Sequence, residues 1–337
     1  MNGALAEQYE ELDSILTATL DVDDHVDLET FRVIVDHPPF DREDLRSPNP
    51  EPVQIPDPAW PVKAEVQAPS GLFGRKKKLA EAQAAVEAQY AADYARWQQE
   101  SESLPFRREA QRQQYVAQEE ARKTELAQEL ARYESECAAR EEEAKQENAE
   151  LDEFISALGY GVTEAVQEYV EIVLANSIYP DSFPVGHVAE FDPASAELSM
   201  RVTIPGPDAV PTVKAYRYTK ASDEITATQL SQKAIKDRYA GIVNAVTLRS
   251  LHEVFEADRR GLVQSISLEL GTNTINPATG TKADVQFIAV AVSREAFEAL
   301  DLSAVVPEAS LAYLGAAVSK NPLALTPVTS NGVRGAK

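Results

Sequence analysis

The stretch that most constrains the fold of this chain is residues 220–292, where one long helix pattern is followed by two strand patterns. Apolar residues recur at helical spacing over about residues 230–260, and Gly261 stands where a left-handed glycine commonly ends a helix. Residues 262–270 then alternate with period two, and residues 285–292 form a nearly continuous apolar run. A long amphipathic helix beside a two-stranded unit needs a sheet to cover, and this requirement predicts an α+β fold.

Strand patterns also precede this stretch. Residues 185–191, 197–204 and 212–220 are typical of strands separated by proline-containing turns. Strands, then a long helix, then further strands predict an antiparallel sheet with the helix laid across one face. Together with the apolar helical region ahead of them, these elements predict an α+β domain over residues 151–318, followed by a loose C-terminal linker at residues 319–337.

Residues 71–150 are dominated by Ala, Glu, Gln, Arg and Lys, which is typical of long, solvent-exposed helices. Pro105 interrupts this stretch, and the residue before a proline is disfavoured in a helix. The heptad pattern is also weak, because charged residues such as Glu119 and Lys123 occupy positions that should be apolar. Two arrangements stay open, a coiled-coil-like antiparallel hairpin that turns at Pro105 or a stalk that pairs with a second copy. The proline favours the hairpin.

The beginning of the chain divides into two segments of different composition. Residues 1–36 are strongly acidic with apolar residues at helical spacing, and they predict an acidic helical segment. Residues 37–70 are rich in proline, which predicts an extended strap close to polyproline II. Such a segment could be a ligand for an aromatic-lined groove. Apolar residues at intervals, including Val53, Ile55 and Trp60, favour instead a strap that packs on another surface.

The composition narrows the class of protein. The formal net charge is −23, so the chain as a whole repels phosphate and is a poor candidate for free DNA binding, whereas basic partners are favoured. Cys137 is the only cysteine and cannot form an internal disulfide, which fits a reducing compartment. The sequence has neither an apolar run of membrane-spanning length nor a signal-peptide layout. We therefore expect a cytoplasmic protein without a membrane partner.

The one dense basic cluster consists of Arg75, Lys76, Lys77 and Lys78, at the start of the long charged stretch. Cations at a helix N-terminus oppose the helix dipole, and each costs about 0.3–1 kcal/mol at low salt. This local cost indicates a use, such as contact with nucleic acid or with an acidic partner. The alternative, which the acidic surroundings favour, is a solvated cluster that balances nearby carboxylates.

No catalytic constellation stands out in the sequence. It contains no phosphate-binding glycine loop, dinucleotide fingerprint or zinc-ligand spacing. The acidic residues 21–27 resemble a calcium-binding loop only superficially, because the central glycine and the last glutamate are missing. We interpret Asp27 instead as a helix N-cap, with Glu29 in the first turn. Three acidic residues follow His252 on the same helix pattern, and we interpret them as its solvent-exposed face. They are Glu253, Glu256 and Asp258. We therefore assign no catalytic, cofactor-binding or metal-binding residue and expect no cofactor.

Short motifs spread over residues 12–334 carry a resemblance to a known family. The longest is Leu-Arg-Ser-Leu-His-Glu-Val-Phe-Glu-Ala-Asp-Arg at residues 248–259. Further motifs lie at residues 21–30, 37–40, 73–78, 238–240, 276–280 and 319–322. In these motifs the chain is similar to the region ahead of the nuclease domain in actinobacterial Mrr-type, or type IV, restriction-system proteins. The motifs have no chemical role that can be carried over, so no active-site residue is transferred to this chain.

The resemblance implies a role in bacterial DNA restriction or phage defence. In the resembling proteins a restriction endonuclease domain follows the segment that ends at Arg334, whereas this chain ends at Lys337. We therefore expect a non-catalytic recognition or assembly module. Its partners would be a nuclease subunit or domain, DNA through the basic cluster, or a second copy through the helical stalk. The alternative is an acidic coiled-coil adaptor or scaffold that is unrelated to DNA.

Overall fold

The computed structural model describes residues 1–66, 74–220, 223–275 and 278–328, which fall into two compact units. Unit 1 comprises Met1–Val33 and Glu147–Lys337, and unit 2 comprises Ile34–Gln146. Helices and strands occur together, which confirms the predicted α+β class. None of the helices in the described ranges combines the length and the apolar character that a membrane span requires.

The elements are numbered in chain order. The helices are α1 (Asn2–Asp13), α2 (Arg75–Gly159), α3 (Thr163–Asn176), α4 (Gln232–Ala257), α5 (Arg294–Glu298) and α6 (Pro307–Tyr313). The strands are β1 (Gly186–Asp192), β2 (Glu197–Thr203), β3 (Val213–Thr219), β4 (Glu224–Gln229), β5 (Ser265–Ile275), β6 (Lys282–Ser293) and β7 (Ala317–Val318). Short 3-10 helices lie at Leu28–Phe31, Glu43–Arg46, Pro207–Ala209 and Pro322–Ala324.

Unit 1 contains a five-stranded sheet with the strand order β1-β2-β5-β6-β7. β2 and β5 pair in parallel, and the other neighbouring strands pair antiparallel. The prediction of a purely antiparallel sheet is therefore wrong at this pair. The connection from β2 to β5 includes the whole of α4. Because a helical crossover returns the chain to the end of the sheet at which the earlier strand began, the next strand runs in the same direction.

The core of unit 1 lies between α4 and the sheet. Residues 242–251 of α4 are all buried, so the middle of this helix is enclosed on every side. α4 ends at Ala257 with Asp258 as its C-cap, three residues before the end that the sequence predicted. Gly261 has the left-handed φ of +66° expected for a glycine at this place, but it lies in the turn beyond the helix and is not the cap. Alternate residues of β2 and β5 point into the same core. They are Leu198, Met200 and Val202 in β2 and Ile266, Leu268 and Leu270 in β5.

The N-terminal segment is part of this core. Leu12, Ile15 and Leu16, in α1 and in the turn that follows it, are almost completely buried together with residues of α4. The side chain of Asp27 accepts a hydrogen bond from the backbone N–H of Glu29 and so caps the short helix that follows. That cap confirms the interpretation of Asp27 made from the sequence.

The described part of the predicted C-terminal linker is not loose. The backbone N–H groups of Ser319 and Val328 donate to the carbonyls of Phe287 and Gln286 at 2.8 and 2.9 Å. β7 is two residues long, so the neighbouring backbone groups at this edge of β6 take further donors from the segment that follows. Residues 329–337 lie outside the described residues.

In unit 2 the predicted hairpin at Pro105 is wrong. α2 is one continuous helix from Arg75 to Gly159, with Pro105 in its interior. A proline at such a position removes a hydrogen bond and costs about 3 kcal/mol. The strap offsets this cost, because it is bonded to α2 on both sides of the proline. Ahead of Pro105, the indole Nε1 of Trp97 donates to a strap carbonyl at 3.2 Å, and after it the guanidinium of Arg108 donates to another at 2.6 Å.

The proline-rich strap, residues 34–66 in the described range, is extended apart from the short helix Glu43–Arg46. It runs antiparallel to residues 75–146 of α2, since positions later in the strap meet positions earlier in the helix. The contacts, in strap order, are Pro38 with Tyr133, Asn49 with Glu119, Val53 with Gln111, Ile55 with Arg108, and Pro58 with Trp97. The packing partner of this helix in the described part of unit 2 is therefore the strap.

Candidate functional site

Three side chains of unit 1 that could ligate a metal ion lie close together where the loop after α1 meets the last turns of α4. Ligand atoms from Asp24, His252 and Glu256 all lie within 4.8 Å of one another, and all three residues are half-buried. His252 and Glu256 are four residues apart on α4 and therefore share one helix face. The imidazole Nε2 of His252 is 3.3 Å from the carboxylate Oε2 of Glu256. We call these three residues the triad.

The neighbours of Asp24 hold it at this place. The carboxylate of Asp23 accepts two hydrogen bonds, at 2.6 and 2.5 Å, from Arg259, which lies just past the end of α4. The imidazole Nδ1 of His25 lies 3.0 Å from the carbonyl of Ala257 and 2.9 Å from the hydroxyl of Tyr169. Because the residues on both sides of Asp24 are bonded to the end of α4, the loop has little freedom to carry Asp24 away from the helix.

A buried ion pair lies next to the triad. The guanidinium of Arg249 and the carboxylate of Glu253 are 2.7 Å apart, and their side chains are 5% and 1% exposed. Arg249 also donates to the carbonyls of Ile15 and Ile178, and the hydroxyl of Ser177 donates to Glu253 at 2.5 Å. One face of α4 is thus joined by charged hydrogen bonds to both the N-terminal segment and the loop after α3.

The burial of Glu253 corrects the interpretation of the acids after His252 as a solvent-exposed face. Glu253 is 1% exposed and Asp258 is 9% exposed. Asp258 accepts hydrogen bonds from the guanidinium of Arg294 at 2.6 Å and from the backbone N–H of Val263 at 2.7 Å. Each of these two acids has a charged partner, Arg249 four residues earlier on α4 and Arg294 at the start of α5, and this pairing explains why they can be buried.

The electrostatics of the triad differ from those of the ion pair, because the triad has two carboxylates and no cationic partner among the described residues. Burial, the charge of Glu253, and then the hydrogen bond and charge of Glu256 raise the pKa of Asp24 to about 7. Burial lowers the pKa of His252, against the opposing charges of Glu256 and Glu253. The hydroxyl of Thr19 lies 3.4 Å from both carboxylate oxygens of Asp24.

Three atoms in and beside the triad are buried without a hydrogen bond in the described chain. They are Nε2 of His252, Oε2 of Glu256 and Oε2 of Glu253. Unpaired polar atoms are rare inside proteins, since leaving one without a partner costs about 1–3 kcal/mol. A cluster of them with ligand character indicates a place where a further partner binds.

A cavity of about 370 Å³ adjoins the triad. His252 and Glu256 line one side of it, and the loop after α5 lines another side with Asp301 and Ser303. Phe255 and Phe297 supply apolar walls. Two of the three residues of the triad, His252 and Glu256, therefore border a space that a small solute can enter.

The basic cluster that the sequence singled out lies elsewhere, in unit 2. Arg75, Lys76, Lys77 and Lys78 form the first turn of α2, and all four are exposed. The ammonium of Lys77 lies 4.0 Å from the carboxylate of Glu81, one turn further along. No other ion pair within the described chain involves these four cations, so their charge faces solvent as a group.

The sequence contained part of the signal for the triad. His252 and Glu256 are spaced so that one helix face presents both, and the acids at residues 21–27 form a group of potential oxygen ligands. Neither set by itself has the spacing of a metal site. Joining them required the tertiary contact between the N-terminal loop and the end of α4, for which neither segment carries a local pattern.

Comparison with known proteins leaves the function open. No protein-family model matches the chain, and no curated protein and no solved structure is significantly similar to it.

Proposed function

We propose that this chain is a cytoplasmic, non-catalytic recognition and assembly module of a bacterial DNA-restriction (Mrr-like) or phage-defence system. A separate subunit or domain would supply the nuclease. The observation that carries the assembly role is the strap-braced helix of unit 2. The link to DNA restriction rests on the sequence resemblance.

The helix of unit 2 is suited to presenting contacts over a distance. With a rise of about 1.5 Å per residue, its residues 75–146 extend about 110 Å. Leu104 and Ala144 are the buried residues of this helical stretch, so its surface is available along almost its whole length. A helix on its own is only marginally stable in water and gains most of its stability from packing. The strap provides that packing on one side of this helix. The uncovered sides remain free for a partner or for a second copy.

The exposed basic cluster supports a contact with phosphate. Arg75, Lys76, Lys77 and Lys78 concentrate positive charge at one helix end in a chain whose net charge is −23. The helix dipole adds partial positive charge at the same end. Both effects attract an anionic polymer or an acidic protein to this turn and to few other places on the chain.

The non-catalytic part of the proposal is tested with the pure full chain. Plasmid DNA, methylated and unmethylated, is incubated with the protein in the presence of Mg²⁺ or Mn²⁺. We expect no cleavage of either substrate. Cleavage that scales with protein concentration and co-elutes with the chain on gel filtration would contradict the proposal.

The DNA contact is tested by fluorescence anisotropy across salt concentrations. If the four cations contact phosphates, the logarithm of the binding constant falls with the logarithm of salt with a slope of about −3 to −4. Affinity then drops on the order of a hundredfold between 50 and 200 mM salt. Replacing all four residues by Glu abolishes this binding.

A control variant makes the same change in net charge elsewhere on α2. It replaces Arg96, Arg112, Lys123 and Lys145 by Glu, at positions that are 67%, 74%, 58% and 75% exposed. This variant should keep most of the salt-dependent binding if the cluster is the contact. Equal loss in both variants would show that net charge alone governs binding.

The rival function is an acidic adaptor or scaffold without a link to DNA. The net charge of −23 and the long exposed helix favour it as much as they favour the assembly role. Absence of salt-dependent DNA binding in the unmutated chain would support this rival and remove DNA from the proposal.

A further inference from the structure

The triad carries an inference that is independent of the function proposed above. We propose that Asp24, His252 and Glu256 bind one divalent transition-metal ion, and that this ion fastens the loop after α1 to the end of α4. The ligands would be one imidazole nitrogen and two carboxylate oxygens.

The geometry is close to what such an ion needs. Bonds of about 2.0–2.1 Å in a tetrahedral arrangement place two ligand atoms about 3.3–3.4 Å apart. The distance of 3.3 Å from Nε2 of His252 to Oε2 of Glu256 already satisfies this spacing. The remaining distances reach at most 4.8 Å, which is within the range that a change of side-chain torsion in Asp24 or Glu256 covers.

The charge balance favours a cation at this place. The nearest arginines are engaged, Arg249 with Glu253 at 2.7 Å and Arg259 with Asp23 at 2.5 Å. The carboxylates of Asp24 and Glu256 therefore face each other without a positive partner in the described chain. Two like charges in a half-buried site repel, and a bound cation removes that repulsion.

Buried polar atoms without a hydrogen bond also support a metal ion at this place. Nε2 of His252 and Oε2 of Glu256 are buried without a hydrogen bond, although both are good metal ligands. Glu253, which is 1% exposed, adds a further unpaired carboxylate oxygen and is joined to Asp24 through the hydroxyl of Thr19. The metal would thus satisfy two of these atoms directly and lower the electrostatic cost of the third.

The ligand types select the class of ion. Imidazole suits Zn²⁺ and other first-row transition ions, and carboxylates suit Zn²⁺ and Mn²⁺. Ca²⁺ requires about 6–8 oxygen ligands, which three side chains with one nitrogen do not supply. We therefore expect Zn²⁺ to bind, Mn²⁺ to bind more weakly in keeping with its place in the stability series, and Ca²⁺ not to compete.

The binding test uses the full chain after treatment with a chelator. Equilibrium dialysis against Zn²⁺, with metal and protein measured together, should give one ion per chain. Asp24→Asn and Glu256→Gln keep the side-chain size and should each weaken Zn²⁺ binding by at least about tenfold, as should His252→Gln. Circular dichroism and the thermal midpoint in chelator confirm that each variant is folded.

The matched control is Glu298→Gln, which removes an acid that lines the adjoining cavity but is not in the triad. This variant should bind Zn²⁺ as the unmutated chain does. If its loss equals that of the triad variants, the cavity attracts cations by charge alone and the assignment is overturned. Absence of stoichiometric binding by the unmutated chain overturns the proposal outright.

The location of the ion is tested by hydrogen exchange. Zn²⁺ should slow amide exchange in residues 19–27 and at the end of α4, and the thermal midpoint should rise with Zn²⁺ concentration. Neither effect should occur in the Asp24→Asn variant. Protection confined to unit 2, for instance around His37 or Cys137, would show that the metal binds elsewhere and would contradict the proposal.

Discussion

The two units of this molecule are stabilised in different ways. Unit 1 buries a large apolar core around α4, together with charged residues that each have a partner. In the described part of unit 2 the buried hydrophobic residues are few. They are Phe40, Leu45, Leu104 and Ala144. Unit 2 relies instead mainly on a series of separate contacts between strap and helix, and most of the hydrogen bonds among them are exposed.

This difference teaches how each unit should respond to mutation. In a core, removing one group leaves its neighbours without a partner, and the cost is large. In a row of separate surface contacts, water replaces what is removed, and the cost is small. Three predictions test the contrast, from the largest expected effect to the smallest.

Arg249→Met should destabilise unit 1 by about 3–5 kcal/mol, because it leaves the buried carboxylate of Glu253 without its cation. Hydrogen exchange of α4 amides in increasing urea measures the free energy of unfolding of this unit alone. The control is Lys233→Met, which breaks a pair of the same spacing on the same helix, at 2.8 Å from Asp237 but largely exposed. The control should cost less than about 0.5 kcal/mol. Similar losses in both variants would contradict the contrast between buried and exposed pairs.

Lowering the pH should weaken unit 1 through His187. Burial, and then the charge of Arg249, lower the pKa of His187 to about 4, below its ordinary value of 6.5. As the pH falls below 6.5, His187 is protonated in the unfolded chain, whereas in the folded chain it is protonated only near pH 4. The unfolded state is therefore favoured increasingly between these two pH values, and the free energy of unfolding falls. Between pH 7 and 5 the loss from this one group is on the order of 2 kcal/mol.

To test this, the free energy of unfolding of unit 1 is measured at pH 7 and at pH 5, in the unmutated chain and in the His187→Gln variant. Glutamine does not titrate and can still bond to Ser250, whose hydroxyl lies 3.1 Å from Nε2 of His187. The variant should therefore show the smaller pH dependence. If both proteins lose the same free energy, His187 does not titrate as its burial implies.

Trp60→Ala should have the smallest effect, about 1 kcal/mol, and should affect unit 2 only. The indole of Trp60 lies 4.4 Å from that of Trp97, between ring centroids, and such aromatic pairs contribute about 0.5–1.5 kcal/mol. Opening of the strap should therefore rise about fivefold, which limited proteolysis with a protease of broad specificity detects. Val53→Ala, at a position that is 90% exposed, is the matched control and should leave cleavage unchanged. A change in exchange of α4 amides would contradict the prediction.

Local signals in the sequence predicted much of the fold. Asp27 caps a helix through the backbone N–H two residues further on and was interpreted correctly, and Gly261 has the predicted left-handed conformation although it does not cap α4. The hairpin predicted at Pro105 was wrong, because the rule that proline ends a helix takes no account of the strap contacts that stabilise the helix on both sides of it. β4 was not predicted, since every residue in it is exposed and no apolar alternation marks it.

The candidate site shows the same division. The pair of His252 and Glu256 is a local feature of one helix and could be read from spacing. Asp24 comes from the other end of the chain, and its place depends on anchors such as Asp23 with Arg259. The ion pair of Glu253 with Arg249 is local, four residues apart on α4, whereas the hydroxyl that bonds Glu253 comes from Ser177 in another segment. Contacts between distant segments leave no periodic trace in the sequence.

The discontinuity of unit 1 has a consequence for the order in which the protein folds during synthesis. Unit 2 is inserted between the two segments of unit 1. The carbonyl of Ile15, in the first segment, accepts a hydrogen bond from the guanidinium of Arg249, which is synthesised 234 positions later. At a ribosomal rate of about 5–20 residues per second, that interval lasts roughly 10–50 s. During it Leu12, Ile15 and Leu16 lack the contacts with α4 that complete their burial. All of unit 2 is therefore available for folding before unit 1 can be completed.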